Sequence, residues 1–207
     1  MSEEIVLYTN PQSRGRIARW MLEEIGEPYR VEVLGYAGAM KTPEYLALNP
    51  MGKVPTVVHR GVPVTECAAI CAYMADAFPA AGLAPALDDP ARATYLRWMF
   101  FGAGPLEAAV TAKALGLLAP EERAGMAGYG TFERTVDALE AAVSSGPYIL
   151  GERFSAVDVY LGAQIGWGLQ FKSLPERPTF TAYAQRIMSR PAAVRAAALD
   201  DALIAAT

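Results

Sequence analysis

The apolar run EIVLY at residues 4–8 stops at the turn signal Asn10-Pro11, so a short strand is expected there. Beyond it Ile17, Met21, Leu22 and Ile25 recur at helical spacing, Gly26 supplies a stop and Pro28 forbids continuation, which predicts a helix starting near Ser13. YRVEV at residues 29–33 alternates as a second strand. A β-α-β order implies a right-handed crossover between parallel strands, with the helix on one face.

A short helical piece is expected around TPEYLAL at residues 42–48, then strands at 54–58 and 62–65 joined by HRG, where Gly61 is available for positive φ. Pro63 cannot donate to a ladder, which places the last strand at an edge. A helix follows from Glu66 to Phe78 with Ile70, Tyr73, Met74 and Ala77 as its apolar stripe. After PAAGLAPALDDP the alternation vanishes and Ala-rich helical pattern takes over, over 91–117, 121–144, 155–171, 178–189 and 191–205. Ser155 and Asp158 form a capping box for the third of these, with Phe154 and Val159 at staple positions. The expected organisation is an α/β domain over residues 1–79, a linker over 80–90 and an all-α domain over 91–207.

Charge narrows the partners. With 18 basic against 22 acidic residues, a net charge of -4 and no basic run, neither nucleic acid nor an anionic membrane is an expected partner. The acidic N-terminus lacks the pattern of a secretory signal, and no apolar run approaches the ~20 residues of a membrane span. Cys67 and Cys71, four apart in one helix, suit a reduced, cytoplasmic protein rather than a disulfide framework, and with His59 as the one histidine no metal cluster is expected.

Taken together, LYTNPQSRGRIARWMLEEIG, NPMGKVPTVV, VTECAAICAYMADAFP and RFSAVDVYLG resemble the cytosolic glutathione transferase family, in particular its bacterial, serine-type, theta-like members. The resemblance implies a thioredoxin-like first domain, a helical second domain, a homodimer, and glutathione as co-substrate. It implies a cis Val54-Pro55 bond, with the main chain of Val54 pairing with the cysteinyl unit of glutathione as an added short strand. Lys53, with Lys41 as a second candidate, would reach the glycyl carboxylate; Met40 falls where some relatives place a polar ligand. Glu66 would take the γ-glutamyl ammonium at the helix start, and Cys67 stands where a serine is usual, a weaker donor than a hydroxyl.

Thioredoxin-like reductases carry a thiol at the start of the first helix; this chain has QSRGR there. In serine-type relatives a hydroxyl at that place donates to the glutathione sulfur, and the resemblance assigns this role to Ser13, with Asn10, Tyr8 and Arg14 as rivals. Arg14 would approach the thiolate from the rim. An apolar electrophile would meet Tyr95, Trp98 and Phe101 at the start of the helical half. The implied activity is glutathione transfer in detoxification. Two alternatives stand beside it: a non-catalytic binding protein that keeps the fold, and a glutathione-dependent thiol-disulfide reductase or peroxidase using Cys67.

Overall fold

The computed structural model describes residues 4–36 and 38–206. They divide into two compact units, one running to Gly82 and taking back the residues from Arg190 on, the other spanning Leu83–Ser189.

The first unit is built on a four-stranded mixed sheet of order β2-β1-β3-β4, with β1 Ile5–Thr9, β2 Arg30–Val33, β3 Thr56–His59 and β4 Val62–Thr65. β1 runs parallel to β2 and antiparallel to β3, and its Ile5, Val6, Leu7 and Thr9 are buried, as a central strand covered on both faces requires. β4 is an edge, where Pro63 costs no ladder bond. The strand expected at 54–58 begins at Thr56 instead, since Pro55 has no N–H to give to the ladder; the Val54–Pro55 bond is cis. The β3–β4 connection uses positive φ at Gly61 and also at Arg60.

Helix α1, Gly15–Ile25, starts two residues later than expected, because Ser13 and Arg14 belong to a turn rather than to the helix. It ends where Gly26 takes φ 80° and returns its N–H to the Leu22 carbonyl, as the pattern predicts. A short 3-10 turn at Ala39–Lys41 leads into α2, Pro43–Leu48, and α3 spans Cys67–Ala77. Glu66 lies outside α3: its φ of 65° and ψ of 120° are not helical.

In the second unit the helix expected over 91–117 is broken into α4, Ala91–Phe101, a π-helical segment Gly102–Leu106, and α5, Glu107–Ala114. Pro105 accounts for the break: it has no N–H to return to residue 101 and its ring presses on that carbonyl, so the ladder slips by one residue. Gly116, at φ 69°, ends the run early. The pattern read as a helix over 121–144 resolves into a 3-10 turn, Glu121–Met126, and α6, Phe132–Ser144, capped by Thr131. The remaining helices are α7, Ala156–Gln170, and α8, Pro178–Met188.

α7 is buried from Ala156 to Ala163 and packs on α4 and α8, so closely that a methyl on Gly162 would stand 1.9 Å from Ile187 Cδ1. The last helix, α9 Pro191–Ala205, packs on α1 and belongs with the sheet, although the sequence pattern groups it with the other helices. Ion pairs Arg19–Asp200 at 2.8 Å, Arg190–Glu24 at 2.7 Å and Arg195–Glu23 at 3.1 Å join the two helices. No helix among the described residues is long and apolar enough to cross a membrane.

Candidate functional site

Strand register gathers most of the candidate residues at one end of the sheet. Tyr8 pairs with Thr56 and Thr56 with Thr65. All three stand at the end of the sheet where β1 and β4 leave it and β3 enters it. The β1–α1 turn, the approach to β3 and the start of α3 therefore meet there, and the Cys67 thiol reaches the Arg14 carbonyl at 3.7 Å.

The β1–α1 turn is closed by Asn10. Its carbonyl accepts the Ser13 N–H at 3.1 Å and the Ser13 hydroxyl at 2.7 Å, its Oδ1 accepts the Gln12 N–H at 2.9 Å, and its Nδ2 donates to the Leu34 carbonyl at 2.8 Å. Ser13 Oγ also accepts the Gly15 N–H at 2.9 Å, relieving one of the orphan donors at the start of α1. Asn10 is thus buried and serves as the frame of the turn, while Ser13 is half-buried with its single proton directed at a neutral carbonyl. Arg14 is exposed. Tyr8 lies within β1, its ring 5.7 Å from that of Tyr45.

The approach to β3 is held from beneath. Buried Asn49 accepts the Met51 N–H at 3.0 Å and donates to the Lys53 carbonyl at 2.8 Å; the Tyr45 hydroxyl donates to the same carbonyl at 2.5 Å. Lys41 Nζ donates to the carbonyls of Met51, at 3.1 Å, and Gly52, at 3.0 Å. Gly52 must be glycine: its φ is 58°, and a Cβ there would stand 2.6 Å from Lys41 Nζ and 2.7 Å from the Met40 carbonyl. Met40 is buried, whereas Lys41 and Lys53 are exposed, so two ammonium groups flank the segment leading to Val54. Among the described residues no main-chain hydrogen bond uses the N–H or C=O of Val54. One main-chain donor and one acceptor thus remain for a ladder beside a cationic rim.

At the start of α3 Glu66 is exposed and its positive φ costs about 1–3 kcal/mol for a residue with a Cβ. Cys67 is half-buried; Cys71, one turn on, is fully buried, and desolvation pushes its thiol well above the usual range, which makes it inert.

The three aromatic candidates of α4 lie in the other unit. Tyr95 is wholly buried and Trp98 nearly so, both in their own unit's core; Phe101, edge-on to Trp98 at 5.0 Å, is half-buried. The exposed large apolar side chains of α4 are Leu96 and Phe100. Among the described residues no group of His, Cys, Asp or Glu is arranged to hold a metal ion.

Sequence reasoning missed Gly15, Tyr45, Asn49 and Gly52 as parts of this frame. Gly15 left a signal: a glycine at the first position of an otherwise amphipathic helix marks a close approach, here to Thr9.

Comparison with known proteins agrees with this architecture. Residues 14–77 match the model of the glutathione S-transferase N-terminal domain and residues 107–167 that of the C-terminal domain, together more than half of the chain. Glutathione S-transferase 3 of Schizosaccharomyces pombe is 35% identical over 103 residues, 49% of this chain and 42% of that protein. The chain spans less than half the length of the first curated relatives it matches. A disulfide-bond oxidoreductase of Escherichia coli K12 is 28% identical over 209 residues, 91% of this chain and 92% of that one. A solved sphingomonad glutathione S-transferase complexed with glutathione superposes with a TM-score of 0.76 at 28% identity, over 95% of this chain and 98% of that chain.

Proposed function

We propose that this chain, which belongs to the glutathione S-transferase family and carries both of its domains, is a glutathione transferase that activates the glutathione thiol for attack on an apolar electrophile. The observation that carries the reading is the convergence at one sheet end of the Ser13 hydroxyl, the unbonded main chain of Val54 and the exposed Glu66 carboxylate. A γ-glutamyl tripeptide offers the complementary groups in that order: a thiol, a peptide ladder and an ammonium. Lys53 and Lys41 supply positive charge for its glycyl carboxylate. Cys67 and Arg14 border the same end, Cys67 as a weak donor and Arg14 as a charge at the rim.

Ser13 supplies the chemistry. In the free protein its proton is given to a neutral carbonyl, a bond of about 1 kcal/mol net, whereas a bond to an anion is worth about 1.5–3 kcal/mol. Turning the hydroxyl from Asn10 to a thiolate therefore gains about 1 kcal/mol, close to one pKa unit. The start of α1 adds its dipole in the same direction. Of the three aromatic candidates for the electrophile, Phe101 is half-buried, whereas Tyr95 and Trp98 are buried. Homodimer formation and a cytoplasmic location complete the proposal, on the family's pattern and the reduced cysteines.

Equilibrium dialysis against glutathione tests the reading. Micromolar to millimolar binding by the wild type, weakened tenfold or more in Lys53→Met and in Glu66→Gln, supports it; undiminished binding in both variants, or none in the wild type, sinks it.

A second reading, thiol-disulfide reduction through Cys67, is favoured by the half-buried thiol at the first position of α3 and by the likeness to an oxidoreductase. Loss of disulfide reduction in Cys67→Ala with thiol conjugation intact would select it.

A further inference from the structure

Arg16 sits in the second position of α1, and its side chain turns back to the turn that carries Ser13. Its Nε–H donates to the Pro11 carbonyl at 2.5 Å, while its Nη2 pairs with Asp201 of α9, also at 2.5 Å. Pro11 and Gln12 are the central residues of the turn closed by the Asn10 carbonyl and the Ser13 N–H. The peptide plane between them is the one whose rotation by half a turn interconverts the two common turn types. It is clamped at both ends: Arg16 holds its C=O and Asn10 Oδ1 holds its N–H at 2.9 Å.

We propose that Arg16 is a positioning residue for the Ser13 hydroxyl, acting by fixing this central peptide, and that Asp201 tethers it from the last helix. The inference rests on the reading of Ser13 as the thiol-activating donor. Without the Arg16 clamp only the Asn10 Oδ1 bond to the Gln12 N–H holds the plane, which rotates more readily, and the direction in which Ser13 Oγ presents its proton changes with it. The guanidinium matters through its fork: one arm meets the carbonyl, another the carboxylate, and a shorter apolar side chain does neither. Asp201 is mostly exposed, so its own share is small. Arg19–Asp200, buried one turn along the same seam, keeps α9 in register with α1 whether or not the Arg16–Asp201 pair is intact.

The test is the pH titration of the ultraviolet thiolate absorbance of bound glutathione, in the full chain, for Arg16→Met, Asp201→Asn and Ser13→Ala, singly and in combination with Ser13→Ala. Arg16→Met is expected to raise the bound thiol's pKa by about half a unit, a threefold loss of thiolate at neutral pH. In the Ser13→Ala background it is expected to add nothing. Asp201→Asn, which leaves a folded surface, is expected to shift the pKa in the same direction by less, again only when Ser13 is present. No shift in either variant overturns the proposal. So does a shift of equal size in the Ser13→Ala background, which would assign the effect to the guanidinium charge. An unchanged thiol in Ser13→Ala alone would strike the reading of Ser13 itself, and is visible before any Arg16 variant is made.

Discussion

The Thr9 hydroxyl lies against the α-carbon of Gly15, so that a methyl group placed on Gly15 would stand 1.9 Å from Thr9 Oγ1 and 3.0 Å from Ser13 Oγ. β1 and α1 can approach this closely only through glycine, and the approach sets the place of Ser13. Gly15→Ala is therefore expected to destabilise the fold by about 1–3 kcal/mol and to lower thiol activation as well. Thr9→Ala removes the oxygen that the methyl would strike, so combining the two should recover part of the loss; strictly additive denaturation free energies would contradict the contact.

Gly52→Ala meets two obstacles, a φ of 58° and the Lys41 ammonium 2.6 Å from the new methyl. The expected outcome is a loss of about 1–2 kcal/mol in stability. Displacing Lys41 from the Met51 and Gly52 carbonyls should also weaken glutathione binding severalfold in dialysis. A variant as stable as wild type would show that the loop relaxes freely.

Asp158 is fully buried and accepts four hydrogen bonds: from the Ser155 N–H at 2.9 Å and hydroxyl at 3.0 Å, and from the Ile149 N–H and Tyr183 hydroxyl, each at 2.8 Å. Burial raises its carboxyl above the ordinary value while these donors oppose the rise. Asp158→Ala strands several buried donors, and the expected cost is about 3 kcal/mol or more, read as a fall in the urea midpoint. Asp158→Asn keeps one acceptor oxygen for one of the two donor pairs and should cost less than the alanine.

Burial and the hydrogen bond to Glu23 push the Tyr29 hydroxyl up to about 12. The folded state thus holds the proton more tightly than the unfolded chain, whose tyrosine titrates near 10. Stability from this group is complete below about pH 10 and is lost as pH rises toward about 12. In urea titrations across that window the wild type should lose stability more steeply than Tyr29→Phe; parallel curves would contradict the assignment.

Much of the fold was legible because its elements are marked locally. The alternation in 29–33, the stop at Gly26, the edge marked by Pro63 and the Ser155–Asp158 box all act within a few residues of their own position. What was not legible depends on partners far away in the chain. The Lys53 carbonyl is held by Tyr45 and Asn49, and the last helix is drawn to α1 by the buried Arg19–Asp200 pair, which no periodicity announces. The single helix read over 91–117 shows the reverse error: Pro105 was visible, but Ala-rich helical pattern on both sides concealed its effect. At the site, the choice of Ser13 followed from its position, whereas the commitment of its proton to Asn10 is a property of the folded turn alone.

If the Ser13 hydroxyl turns its hydrogen bond from the Asn10 carbonyl to the sulfur of bound glutathione, the pH titration of the bound thiolate in wild type and Ser13→Ala reads that change. The wild-type pKa is expected well below the ~8.5 of a free thiol, with a rise of about one unit in Ser13→Ala while glutathione stays bound. A bound thiol whose pKa is the same in both proteins would contradict it.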